Sequence, residues 1–304
     1  MRRYFYRLPL LAVLLLLATG AAHGGEYGFE YQKIVKVGEP VQLELRLEKG
    51  SVTVVGSEDD RIIIEAVKTV RASNQEEAEE VADHIEIKVK SGDHKVEIET
   101  NFLRMISRNR SFWSKFLGTG DSESYGSVNY RISVPTQTSV SIVSLDAHID
   151  LSSIEGDVRI ENTSGSTRAE YLFGSIDLRQ SVGDIELLWI EGDIRVKSKS
   201  SKIMVRQVRG AMDLSTFAGS VNIQTELESP KDFFVETTSG SITFSIPSYA
   251  SGELNIETDT GEIKTEIPVA IKSLSRRRLV GEIGQGGPRV TLSSTTGDVD
   301  VNQF

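Results

Sequence analysis

Gly156-Asp157-Val158-Arg159-Ile160, Gly165-Ser166-Thr167-Arg168-Ala169, Gly174-Ser175-Ile176-Asp177-Leu178, Gly183-Asp184-Ile185-Glu186-Leu187 and Gly192-Asp193-Ile194-Arg195-Val196 follow one another at intervals of nine residues. Looser copies keep the interval at Ala147-His148-Ile149-Asp150-Leu151, Ser201-Lys202-Ile203-Met204-Val205 and Gly210-Ala211-Met212-Asp213-Leu214, and Gly219-Ser220-Val221-Asn222-Ile223 closes the series. Nine units therefore run from 147 to 223 without a slip. A unit of turn plus alternating strand cannot bury its apolar pair alone, but it can do so by stacking on its neighbours, which is the signature of a solenoid. The Gly takes backbone angles closed to other residues and makes the corner. Further copies, irregularly spaced, begin at Gly240, Gly252, Gly261 and Gly297.

The residue between the two inward apolar positions faces solvent and reports which units are neighbours in the stack. At a separation of eighteen, every pair in which both members are charged is opposite in sign: Asp150 with Arg168, Arg159 with Asp177, Arg168 with Glu186, Asp177 with Arg195, and Arg195 with Asp213. At nine or twenty-seven the signs are mixed. Opposed charges on neighbouring strands contribute roughly 0.2 to 1 kcal/mol and like charges cost as much. The expectation is an all-β chain, a β-solenoid of the parallel β-helix type with about two strands per eighteen-residue coil, and not an antiparallel meander of nine-residue hairpins.

Upstream of the repeat, Val41, Leu43, Leu45 and Leu47, then Val52 and Val54, then Ile62 and Ile64 alternate with polar residues and read as strands. Ser73-Asn74-Gln75-Glu76 predicts a capping box, Ser73 with Glu76, opening one short helix that runs to about Asp83. Ile85, Ile87 and Val89 face Val96 and Ile98 across a hairpin turn at Ser91-Gly92-Asp93, and strand character returns at Val128 to Ile132. The first residues carry Arg2, Arg3 and Arg7, an apolar run from Leu8 to Ala18 and small residues around Ala21, Ala22 and Gly24. That is the three-part pattern of an export signal, too short for a transmembrane helix. The expected organisation is a signal peptide over 1–24, a β-rich region with one helix over 26–135, and the strand-repeat solenoid over 136–304, continuous with it.

Composition limits the chemistry. The 304 residues carry a formal charge of −10, and loss of Arg2, Arg3 and Arg7 with the signal would make it −13, so a general nucleic-acid surface is not expected. Zero Cys removes thiol catalysis, disulfides and thiolate metal sites. His84, His94 and His148 have no metal-ligand spacing, and the single Gly before Asp lacks the double-Gly corner of calcium-binding nonapeptide repeats. No nucleophile elbow, zinc-protease or phosphate-loop motif occurs. Asp157, Asp184 and Asp193 follow corner glycines, and their regular recurrence argues for turn residues that bond their own backbone and against a single catalytic site. Neither catalytic residues nor cofactor nor metal ligands are expected.

One stretch departs from this pattern. Asn101 to Gly120 holds Arg104, Arg108, Arg110 and Lys115 with no acid, and Phe112, Trp113, Phe116 and Leu117 at helical spacing. In an acidic protein, a basic segment with an aromatic face suits contact with anionic lipid, an acidic glycan or a protein partner through Arg104, Arg108, Arg110, Phe112, Trp113 and Phe116. The competing expectation is an end cap of the solenoid or a mobile loop.

With the signal, the helix before a hairpin, the Val134-Pro135 entry, the repeat ladder, Gly281-Glu282-Ile283-Gly284-Gln285-Gly286-Gly287 and the closing Ser293-Ser294-Thr295-Thr296-Gly297-Asp298-Val299-Asp300-Val301 in view, the sequence resembles the bacterial putative-adhesin family of secreted β-strand-repeat domains of unknown function. The resemblance implies a non-enzymatic module at the cell envelope, adhesin-like, exported to the periplasm, cell surface or exterior. Its partner would be an envelope component, glycan or protein surface. The alternatives are an envelope-stress sensing domain touching lipid or a membrane partner, and a carbohydrate-active β-helix enzyme.

Overall fold

A computed structural model describes residues 25–102 and 126–304. The signal-peptide expectation over 1–24 lies outside these residues.

The repeat folds as a two-faced solenoid. Each nine-residue unit is a seven-residue strand and a two-residue corner: β8 (Val158–Ser164), β9 (Thr167–Phe173), β10 (Ile176–Val182), β11 (Ile185–Glu191), β12 (Ile194–Ser200), β13 (Ile203–Arg209) and β14 (Met212–Ala218), followed by the eight-residue β15 (Val221–Glu228). Seven strands precede β8 in the chain. Strands pair in parallel with the next strand but one, so β8, β10, β12 and β14 form one face and β9, β11, β13 and β15 the other. All five charge pairs expected at a spacing of eighteen sit in register: Asp150 opposite Arg168, Asp177 opposite Arg159 and Arg195, Glu186 opposite Arg168, and Arg195 opposite Asp213. The antiparallel meander is thereby excluded for this stretch.

Between the faces lies one apolar core. Val158, Ile176, Ile194 and Met212 stack from one side, Ile185, Ile203 and Val221 from the other, each at most 2% exposed. Burying each such aliphatic side chain stabilises the fold by about 1.5–3 kcal/mol before chain entropy is counted. The corner glycines stand so close that a side chain has no room: a Cβ on Gly183 would lie 1.8 Å from the Gly165 carbonyl oxygen, and its φ is +118°.

The ends are built differently. At the N-terminal end are β1 (Gly25–Lys36), β2 (Val41–Ser57), β3 (Arg61–Ala72), helix α1 (Gln75–Asp83), β4 (Ile85–Ser91), β5 (Lys95–Phe102), β6 (Ser127–Pro135) and β7 (Thr138–Glu155). The long strands β2 and β7 each serve both faces. β2 lies between β5 and β7 on one face, where Leu43 is opposite Val96 and Val140, and between β6 and β7 on the other, where Val52 is opposite Tyr130 and Ile149. Antiparallel strands finish this end, β4 on β5 and β3 then β1 on β6. Helix α1 packs beside β3. Its cap differs from the expected box by one residue. Asn74 is the N-cap and accepts from the Glu77 N–H at 2.9 Å, while the Glu77 carboxylate accepts from the Ser73 N–H at 2.9 Å. With Asn74 as the N-cap in extended backbone, its carboxamide oxygen meets the third helical N–H, that of Glu77, so Glu77 and not Glu76 completes the pair.

At the other end are β16 (Phe233–Ser239), β17 (Ile242–Ile246), β18 (Gly252–Thr258), β19 (Ile263–Thr265), β20 (Ala270–Leu274), β21 (Arg278–Ile283), β22 (Arg289–Thr296) and β23 (Val299–Gln303). The last two strands slot between earlier ones: β22 pairs with both β16 and β18, and β23 with both β17 and β19. Antiparallel β21 and β20 close one face outside β18. The irregular glycine spacing after Ile223 follows from this order, because the chain leaves a coil vacant and fills it last.

Candidate functional site

The outward side chains of the stack form straight columns along the solenoid. On the even-numbered face, Arg159, Asp177, Arg195 and Asp213 lead to Phe234. Only some of the register pairs close as ion pairs: Arg168 with Glu186, and Arg195 with Asp213 at 3.4 Å. Arg159 turns instead to Glu161 on its own strand at 2.7 Å, and Arg179 lies 3.8 Å from Asp177. These pairs are partly exposed, and each contributes little by itself. A shallow groove of about 650 Å³ runs beside this column, bounded by Asp177, Asp193, Arg195, Asp213, Lys231 and Phe234.

Two of the Asp residues after corner glycines, Asp157 and Asp193, and Asp298 near the C-terminal end do a structural task, though not the one expected of them: they bond the neighbouring coil and not their own turn. Asp157 accepts from the Ser175 N–H at 3.0 Å and its hydroxyl at 2.7 Å, Asp193 accepts from the Ala211 N–H at 2.9 Å, and Asp298 accepts from the Glu262 N–H at 2.9 Å. The Lys231 ammonium beside Asp193, 2.6 Å away, together with the Ala211 N–H, holds its carboxyl below the usual range. Asp59, Glu97 and Glu161 are displaced in the same direction by hydrogen bonds from Arg61, Lys95 and Arg159. A general acid for glycoside cleavage needs the opposite displacement.

A second surface lies at one corner of the odd-numbered face. Ser153, Tyr171, Trp189 and Leu227 have φ between +55° and +59°, a left-handed conformation that costs a bulky residue free energy. The kink breaks strand alternation, so that Glu170 and Tyr171 both face outward and Leu172 returns to the core. Tyr171 and Trp189 remain 50% and 46% exposed, with Phe173 beside them at 46%. The Arg206 guanidinium sits 5.9 Å from the centre of the Trp189 ring.

Among the described residues no group of three or more His, Asp or Glu is placed to hold a metal ion, and no helix is long and apolar enough to cross a membrane. The histidines lie apart, with His84 against the Glu80 carbonyl, His94 against the Gly38 carbonyl and His148 against the Ser166 hydroxyl. Arg104, Arg108, Arg110, Phe112, Trp113 and Phe116 lie outside the described residues; of the 101–120 stretch only Asn101 and Phe102 are described, ending β5. The aromatic corner escaped the periodicity argument, which weighed only the first three strand positions. Its signal was a pair of large aromatics, Tyr171 and Trp189, eighteen residues apart.

These features define a class, an all-β solenoid whose surface is a set of aligned side-chain columns. The model of the Toastrack DUF4097 family matches residues 41–302, and the chain belongs to that family. Solved structures similar to it include a putative cell adhesion protein from Clostridium sporogenes ATCC 15579 (13% identity, covering 91% of this chain and 100% of that one, TM-score 0.27) and a putative adhesin from Bacteroides fragilis NCTC 9343 (13% identity, 90% and 97% coverage, TM-score 0.33). No curated protein matches.

Proposed function

We propose that the protein is an exported, non-catalytic binding module of the cell envelope. The observation that carries this reading is the in-register stacking of outward side chains from Ala147 to Ile223, which repeats charged groups along the coils and gathers exposed aromatic rings at one corner. A surface of this kind gains affinity by summing weak contacts along an extended ligand. Catalysis of glycoside cleavage would instead require two carboxyl groups with separated titrations facing one bond. Export rests on the basic, apolar and small-residue pattern from Arg2 to Gly24.

The basic aromatic segment from Arg104 to Phe116 is assigned an auxiliary envelope contact.

The test is to incubate the mature chain with isolated envelopes and with a polysaccharide panel, then to measure retained protein and released oligosaccharide in the same samples. Retention without released sugar is expected. Reduced retention after deletion of residues 101–120 would support the auxiliary contact. Release of sugar fragments would replace the binding module by an enzyme.

A further inference from the structure

We infer that the corner formed by Tyr171, Phe173 and Trp189 is a binding platform for an uncharged polysaccharide. The inference rests on the binding-module reading above and names the ligand class.

Three observations converge on it. The rings project from neighbouring coils of one face, since Leu172 on β9 is opposite Ile190 on β11, and they make a narrow ribbon along the solenoid axis. Coils repeat at the strand spacing of about 4.8 Å, close to the length of one pyranose unit in an extended chain, so successive rings can meet successive sugars. The apolar C–H face of a sugar packs on an aromatic face, as other flat apolar groups do.

The second observation is conformational. Two aromatic residues are held at φ +55° and +57°, where Gly or Asn is the usual occupant. The buried neighbours Leu172 and Ile190 account for the kink itself, but nothing in the packing requires a large ring at the kink.

The third is charge. The rim carries no excess of positive charge: Arg168 lies 2.7 Å from Glu170 and Arg209 2.8 Å from Glu191, while Arg206 sits on the Trp189 ring and Glu155, opposite Phe173, is exposed with no ion-pair partner among the described residues. Such a rim offers donors and acceptors to hydroxyl groups and gives no attraction to anionic lipid or an acidic glycan. The ribbon is also too narrow for a stable protein interface, which buries about 800 Å² on each partner around an apolar centre.

The experiment titrates the mature chain with neutral oligosaccharides of several linkages, reading calorimetric heats and Trp189 fluorescence in a Trp113→Phe background. Trp189→Asn and Tyr171→Asn place a residue that accepts the left-handed backbone, so the fold is kept while the ring is lost. Phe217→Ala removes an exposed ring from the other face as a control. Expected are binding by the parent, a loss of about tenfold or more for Trp189→Asn, a smaller loss for Tyr171→Asn, and no change for Phe217→Ala. Unchanged binding in both Asn variants, with circular dichroism intact, would overturn the platform. So would the absence of binding to every neutral glycan while envelopes still retain the protein, a result that leaves the binding-module reading standing. Envelope retention that is abolished by protease but survives glycosidase treatment would equally overturn it, by making the ligand a protein.

Discussion

Between Ala147 and Ile223 the order of strands along the chain is their order in space, whereas at both ends it is not. In the centre, each coil stacks on the one just made, and the same contacts recur every eighteen residues. At the ends, a coil is inserted between two others: β2 between the β5/β6 and β7 coils, and β22 with β23 between the β16/β17 and β18/β19 coils. Antiparallel strands then close all but one of the outer edges, and the remaining edge, β19, has only three residues. A regular stack left open would present unpaired strand edges to other chains, and inserted coils with reversed or shortened outer strands blunt those edges. The difference separates two tasks, with the centre carrying the repeated surface and the ends terminating it.

The sharpest way to break this comparison is to substitute glycine in each region. Gly183→Ala places a Cβ 1.8 Å from the Gly165 carbonyl oxygen at φ +118°. It should cost more than about 3 kcal/mol in urea unfolding. Gly92→Ala in the N-terminal hairpin meets nothing closer than 3.8 Å and should stay within about 0.5 kcal/mol of the parent. Equal effects would mean that the central corners are not specially constrained.

Next in size is the buried polar column inside the central corners. The Gln180 amide donates to the Gly165 and Gly183 carbonyls at 3.1 and 2.8 Å and accepts from the Thr167 hydroxyl at 2.7 Å. Gln180→Ala should lose about 1–3 kcal/mol, because buried carbonyls are left unpaired. Thr260→Ala, which removes an exposed hydrogen bond of 3.3 Å near the C-terminal end, should be close to neutral in the same assay.

Smaller again is the charge ladder. Arg195→Asp with Asp213→Arg should recover about 0.2–1 kcal/mol relative to the sum of the single variants in a double-mutant cycle of thermal unfolding. No coupling would mean that the register charges are passengers of the stack.

The smallest effect is a pH dependence. Since the Lys231 ammonium depresses the folded-state titration of Asp193, its stabilising contribution is complete above the ordinary aspartate range and disappears as pH falls through the folded value. The melting temperature of Asp193→Asn should lie below the parent at neutral pH and converge with it in acid. A constant gap down to the lowest pH would place the stabilisation elsewhere.

The central fold was legible in the sequence because the charges from Asp150 to Asp213, which fall into one column on each face, obey strand pairing at a single spacing of eighteen. The hairpin at Gly92 was legible for a local reason, the Ser91-Gly92-Asp93 turn between alternating apolar residues. The inserted coils were not, since nothing near Val290 or Val299 in the chain tells which rungs they join. Nor was the Asn74 cap, where Ser73 and Asn74 are both good capping residues and tertiary packing chose between them. Lys231 reaches Asp193 from a loop thirty-eight residues away, a contact that no local pattern encodes. The aromatic corner was visible as Tyr171 and Trp189 but not interpretable, because a left-handed residue inside a strand cannot be read from its identity.

The most direct test compares two deletions in the centre, read by cooperative thermal unfolding and by retention on envelopes. Removing Ile194 to Ala211 takes out one whole coil and joins Asp193 to Met212, so every later strand keeps its face. That variant should fold cooperatively, with somewhat lower stability and a graded loss of retention. Removing only Ile203 to Ala211 moves every later strand to the opposite face and should abolish cooperative folding. If the nine-residue deletion were tolerated as well as the eighteen-residue one, the two-strand coil would not be the unit of this protein.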